Sequence, residues 1–185
     1  MAATAAGLAL FPDDPRKLAL AALGKFRGVK RRQELLVDTP MLKVIEDFGH
    51  HPTALAETLQ SFRARFPGHA IHAAFEPRSN TSRTKVMQAG FMRALALADE
   101  VWLGAVSRAE HLKEAERFDA EVVMQHLESQ GVEAHAASTN AVLLDQLVAA
   151  TRTEADRPRL VVFFTNGSFD GIIRGYVAAM KPGKA

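Results

Sequence analysis

"MLKVIEDFGHHPTALAETLQSFRARF", residues 41–66, contains a change of period that decides the fold. The run that ends at Phe48 is β-leaning, whereas beyond Pro52 the apolar residues Leu55, Leu59, Phe62 and Phe66 recur at the spacing of one buried helical face. Between the two, Gly49, His50 and His51 turn the chain. Pro52 stands where the first helical residue belongs, and its fixed φ suits that position. The free amides beyond it can face an anion or a polar ligand.

The same alternation repeats along the chain. Upstream, "RRQELLV" (31–37) is joined to residues 41–48 by a turn at Asp38, Thr39 and Pro40, and Pro15 to Phe26 reads as a helix ended by Gly24 to Gly28. Downstream, "AIHAAFEP" (70–77) reads as a buried strand, a helix is expected around Lys85 to Ala98, and "EVWLGAV" (100–106) reads as a second buried strand. "DAEVVMQHLESQ" (119–130) is a helix stopped by Gly131, and "VEAHAA" (132–137) a strand. "NAVLLDQLVAAT" (140–151) is a helix opened by Ser138 or Asn140, and "RLVVFFTN" (159–166) the most apolar strand, ahead of a final helix from Ser168 to Met180. Strands and helices taking turns imply an α/β fold, a Rossmann-like, mostly parallel sheet with helices on both faces. Ligands of such sheets sit at the carboxyl ends of the strands.

With 185 residues and 48% hydrophobic content, the chain can bury a core without covalent staples. It has no cysteine, which excludes thiolate zinc sites. The longest apolar runs, such as Leu160 to Phe164, fall far short of the roughly 20 residues that span a bilayer. The opening "MAATAAGLALFPDDP" lacks a basic leader, so a cytoplasmic protein with no membrane partner is expected. The net charge of +2 is too balanced to point to nucleic acid. Lys25, Arg27, Lys30, Arg31 and Arg32 nevertheless crowd five cations into eight positions. That run is either a solvated surface or an arm that reaches phosphate through the planar donors of arginine.

Three polar turns follow strands: "DFGHHPT" (47–53), "EPRSNTSRT" (76–84) and "TNGSFDG" (165–171). Adjacent His50 and His51 point apart and lack HxxxH or HExxH spacing, so no metal ligands are assigned. One histidine capping the helix and the other facing solvent is the plain alternative. Arg78 and Arg83 flank Ser79, Asn80 and Thr81, donors suited to a carboxylate or small peptide and equally to a capped helix start. The glycines of the third turn could serve only to relieve strain. No GxxxxGKS/T, GxGxxG or GxSxG motif occurs, so the chain cannot cradle a nucleoside triphosphate in the P-loop manner.

"FRGVKRRQE" (26–34), "DFGHHPTA" (47–54), "FEPRSNT" (75–81), "ADEVWL" (98–103) and "TNGSFDGI" (165–172), in that order, resemble the Mur ligase family. Within it, Phe48 and "EPRSNT" resemble the murein peptide ligases more than the L-alanine-adding ligases. The resemblance implies residues 1–27 as the tail of a central ATPase domain and residues 28–185 as the C-terminal domain. It implies an ATP-dependent ligase of peptidoglycan synthesis and recycling, using Mg²⁺ held mainly by the missing central domain. The enzyme would join a tripeptide or L-alanine to UDP-N-acetylmuramate through an acyl phosphate, and this chain alone would be inactive.

By the same resemblance, Arg32 would reach the ATP phosphates, Asp47 the ribose hydroxyls and His50 the nucleotide or acyl-phosphate region. Arg78, Ser79, Asn80 and Thr81, with Arg83, would hold the acceptor, and Asn166, Gly167 and Asp170 would line the same pocket. Gln33 and Asp170 depart from the family pattern, which leaves tripeptide and L-alanine both open as acceptor. The competing reading is a freestanding module that binds muramyl peptides or nucleotides without catalysis.

Overall fold

A computed structural model of the chain describes residues 29–181. Its frame is a sheet of six strands: β1 (Glu34–Asp38), β2 (Leu42–Asp47), β3 (Ala70–Phe75), β4 (Glu100–Leu103), β5 (Glu133–Ala136) and β6 (Arg159–Phe164), in the spatial order β1-β2-β6-β3-β4-β5. All neighbouring pairs are parallel except β1 with β2. The mostly parallel α/β sheet expected from the alternation is the one observed. The helices are α1 (Pro52–Arg65), α2 (Gln88–Leu95), α3 (Ala120–Ser129), α4 (Asn140–Arg152) and α5 (Ile172–Met180).

Strand β6 shows why the sheet is covered twice. Leu160, Val162 and Phe164 point to one face and pack with Leu55, Leu59 and Phe62 of α1, Phe91 and Leu95 of α2, and Val123 and Leu127 of α3. Val161 and Phe163 point to the other and meet Leu143 and Leu147 of α4 and Ile172, Ile173 and Tyr176 of α5. Alternate side chains along a strand leave on opposite faces, so a continuous apolar run needs cover on both. Each large side chain buried this way contributes about 1.5–3 kcal/mol.

Chain direction then creates the ligand edge. The segments after β2, β3 and β4 cross by helices on the first face, while those after β5 and β6 cross by helices on the second. Because β6 is inserted between β2 and β3, its exit loop turns away from both neighbours' loops. Crevices open at such switch points, outside the carboxyl ends of the strands.

Several element ends differ from the sequence reading. Arg31 and Gln33 have φ of 60° and 51°, which breaks the extended run and delays β1 to Glu34. A 3₁₀ turn over Lys85–Met87 precedes α2. The hydroxyl of Thr139, rather than Ser138 or Asn140, caps α4 by accepting from the Val142 N–H at 3.3 Å. The final helix starts at Ile172, because Phe169, Asp170 and Gly171 all have positive φ and Phe169 turns into the core. The helix expected over Pro15 to Phe26 and the domain boundary at 27/28 lie outside the described residues. Among the described residues, no helix is long and apolar enough to cross a membrane.

At the amino edge of the sheet, Glu100 lies 2.8 Å from His72 Nδ1 and 2.9 Å from His135 Nε2. Burial pushes the Glu100 pKa up, but the imidazoles of His135 and His72 outweigh it and hold the carboxyl down at about 2, from an ordinary 4.5. Its hydrogen bond to Glu100 raises His135 above its ordinary 6.5 despite burial. The depressed carboxyl stabilises the fold fully above pH 4.5 and loses that contribution as pH falls towards 2. The raised imidazole stabilises it fully below pH 6.5 and loses that contribution as pH climbs through its folded value. In chelator, Glu100→Gln is therefore expected to lower stability by about 1–2 kcal/mol, or roughly 2–8 °C in Tm. The difference should be widest between pH 4.5 and 6.5 and narrow on both sides. Melting curves across pH check this, and a difference independent of pH would contradict it.

Candidate functional site

The turns after β2, β6 and β3 leave three adjacent strands from the same edge. They are cross-linked: the Thr165 N–H donates to the Asp47 carbonyl at 3.1 Å, and the Glu76 N–H to the Phe164 carbonyl at 3.0 Å. The Thr165 hydroxyl donates to the buried Glu76 carboxylate and accepts from the Gly167 N–H at 2.8 Å. One fully buried threonine thus ties all three turns together.

In the first turn, Asp47 is buried, and its carboxylate accepts the N–H of Gly49 at 2.7 Å and of Gln33 at 3.0 Å. A Cβ on Gly49 would lie 2.7 Å from Asp47 Oδ1, so this close turn needs glycine. His51 caps α1, its Nδ1 accepting from the Thr53 N–H at 3.3 Å, and Pro52 follows as the first helical residue. The two histidines point to different tasks. His50 Nδ1 lies 3.0 Å from the Phe48 carbonyl, which can only accept, so that nitrogen carries the proton. Its Nε2 is then the atom left for chemistry.

The adjacent arginines part in the same manner. Arg31 is occupied: it pairs with Glu46 at 2.7 Å and donates to the carbonyls of Thr165, at 3.1 Å, and Gly167. Arg32 is exposed, its guanidinium carbon 4.8 Å from the centroid of the Phe48 ring, a cation–π contact that leaves donor edges facing solvent.

The second and third turns form a cleft of about 390 Å³ lined by Arg78, Ser79, Asn80, Arg83, Ser107, Arg108 and Asn166. Ser79 Oγ accepts the Ser82 N–H at 3.0 Å, and Arg83 donates to Asn80 Oδ1 at 3.1 Å, so the loop is internally braced. Arg78 reaches Glu76 at 3.3 Å and lies against Gly167, where a Cβ would meet its Nε at 2.0 Å. Among the described residues, Asn166 Oδ1 and Arg83 Nε are buried without hydrogen-bond partners, a cost of about 1–3 kcal/mol each unless something fills the cleft. Thr81 is exposed at the loop's outer side.

Asp170 stands apart. Its carboxylate accepts from Asn140 Nδ2 at 2.6 Å, and it lines a separate cleft with Thr139, Asn140 and Leu144. Gly167 divides between the two sides, offering its carbonyl to Arg31 and its α-carbon to Arg78. Sequence reading missed Arg108, which adds a third guanidinium to the cleft from the segment after β4, and the Glu76–Thr165 link. Only the invariable need of a buried carboxylate for a partner could have signalled the latter.

Asp47→Ala would leave the N–H groups of Gln33 and Gly49 without acceptors and is expected to cost about 2–4 kcal/mol of stability. Asp47→Asn keeps one acceptor oxygen and should lose less, a ranking that denaturant melts of the two variants test.

Residues 31–167 match the family model described as Mur ligase, glutamate ligase domain. The chain is 31% identical over 167 residues to a UDP-N-acetylmuramate–L-alanine ligase of Acidithiobacillus ferrooxidans, covering 90% of this chain and 34% of that one. It is 42% identical over 86 residues to the UDP-N-acetylmuramate–L-alanyl-gamma-D-glutamyl-meso-2,6-diaminoheptandioate ligase of Escherichia coli, over 46% of this chain and 19% of that one. Among solved structures, the UDP-N-acetylmuramate-alanine ligase of Thermotoga maritima superposes with a TM-score of 0.68 at 26% identity, over 92% of this chain and 35% of that one. The chain thus spans about a third of the length of the relatives that match most of it. It belongs to the Mur ligase family and carries that family's C-terminal domain.

Proposed function

We propose that this domain closes over ATP and presents the acceptor in a ligase that joins a peptide or amino acid to UDP-N-acetylmuramate in the cytoplasm. The reading is carried by one observation: Arg78, Arg83 and Arg108 converge with the unpartnered Asn166 Oδ1 in a single cleft, on the edge that also carries His50 and Arg32. Three guanidiniums suit an acceptor with more than one carboxylate, which favours the tripeptide over L-alanine. The names of the relatives support the sugar nucleotide as the other substrate.

ATP, with Mg²⁺ held by the central domain, would supply the phosphoryl group that the muramyl carboxylate takes on as an acyl phosphate, from which the acceptor amine displaces inorganic phosphate. The residues of this chain bind and position. Arg32 offers exposed donors for phosphate oxygens, and His50 offers Nε2 to the nucleotide or the acyl phosphate. Asp47 is suited to ribose hydroxyls, since each of its oxygens keeps a lone pair beyond the N–H it already accepts. Arg78, Ser79, Asn80 and Arg83 orient the acceptor with Asn166 beside them, Thr81 stands exposed on the same loop, and Gly167 backs the Arg78 side chain from outside the cleft. Positioning and charge neutralisation of this kind account for most of phosphoryl-transfer catalysis. The chain alone would bind without turning over, because it has no P-loop.

The test joins this chain to the sugar-nucleotide and P-loop domains of a Mur ligase. Arg78→Ala is expected to raise the acceptor KM about 10–100-fold with the ATP KM nearly unchanged, whereas His50→Ala should lower kcat and raise the ATP KM. Unchanged ATP dependence in both Asp47→Ala and His50→Ala would sink the nucleotide assignment. Binding without turnover in the joined protein would favour the freestanding module. Calorimetry with tripeptide and with L-alanine separates the acceptors, and tighter binding of L-alanine would overturn the preference for peptide.

A further inference from the structure

The amino edge of the sheet, opposite the polar turns, holds a cluster that the ligase chemistry does not use. His72 on β3 registers with Glu100 on β4, and Glu100 with Glu133 on β5, so the three stand on one face, and His135, two residues along β5, returns to that face. One ligand atom each from Glu100, Glu133 and His135 lies within 4.8 Å of the others. His135 Nε2 is 2.9 Å from Glu100 Oε1 and 3.4 Å from Glu133 Oε1. A ring nitrogen carries at most one proton, so it can satisfy one of these carboxylates and leaves the other repelled by its neighbour. A cation at the point of convergence would satisfy all three.

Two supports make the cluster more than an ion pair. His72 is 5% exposed, and its Nδ1 sits 2.8 Å from Glu100 Oε2, outside ideal hydrogen-bond geometry, so a buried imidazole braces the far oxygen of Glu100 from behind the cluster. Trp102 stacks on His135 with ring centroids 4.0 Å apart and an interplanar angle of 23°, fixing the imidazole where it aims Nε2 between the carboxylates. Outer groups that orient ligands in this manner accompany metal centres.

We propose that Glu100, Glu133 and His135 Nε2 bind a divalent first-row transition metal, with His72 positioning the far oxygen of Glu100. One imidazole and two carboxylates suit Zn²⁺ and its neighbours rather than Ca²⁺ or Mg²⁺, which take oxygen alone. The ion would clip the edge strand β5 to β4, away from the ligand edge, and the proposal stands independently of the ligase reading.

Chelator-treated full chain titrated with Zn²⁺ by calorimetry should take up one equivalent, and X-ray absorption should report only nitrogen and oxygen ligands at about 2.0–2.1 Å. Glu133→Gln and His135→Gln should each weaken binding at least about 10-fold. Since Glu133 is exposed, Glu133→Gln keeps the fold and carries the test alone if His135→Gln melts. A Zn²⁺-dependent rise in Tm should disappear in the same variants. Absence of stoichiometric binding, or binding that survives Glu133→Gln unchanged, overturns the proposal.

Discussion

The structure depends on the double pairing of β6. Its six residues hydrogen-bond to β2 on one side and β3 on the other, in registers such as Val162 with Ile45 and with Ala73. From Leu160 to Phe164 these residues are buried, and an unpaired backbone group there would cost about 1–3 kcal/mol. The arrangement therefore admits β6 only between its two partners. Everything at the carboxyl edge follows from that insertion: Thr165 emerges between Asp47 and Glu76, and a single residue is shared by three turns.

From this shared residue, charge is distributed by burial. Glu76 is 1% exposed and is satisfied by Thr165 and Arg78, while Asp47 is satisfied by backbone amides. Anions of the protein are thereby turned inward, and the guanidiniums of Arg32, Arg83 and Arg108 remain along the carboxyl edge of the sheet. An edge built in this way is locally basic irrespective of the small overall charge of +2.

Much of this was legible in the sequence, and the limits have physical reasons. The strand–turn–helix change across residues 41–66 and the Pro52 start were readable because period and proline chemistry are local. Strand order was not, since nothing in "RLVVFFTN" states which strands it joins. Arg31 and Arg32 look alike in sequence, yet φ of 60° at Arg31 turns its side chain into the carbonyls of the third turn and leaves its neighbour outside. The family resemblance placed Asp170 beside Asn166, but positive φ at residues 169–171 turns it towards Asn140. Arg108 went unread because it lies in no motif, and only the fold carries it beside Arg78.

The two outer strands have a further consequence. β1 is interrupted by a bulge between Leu35 and Val37, and β5 is only four residues long and carries an exposed glutamate. Unpaired strand borders invite strands from other molecules, and bulges, brevity and charge discourage them. Neither border of this sheet therefore offers a long, flat template on which strands of other molecules could grow.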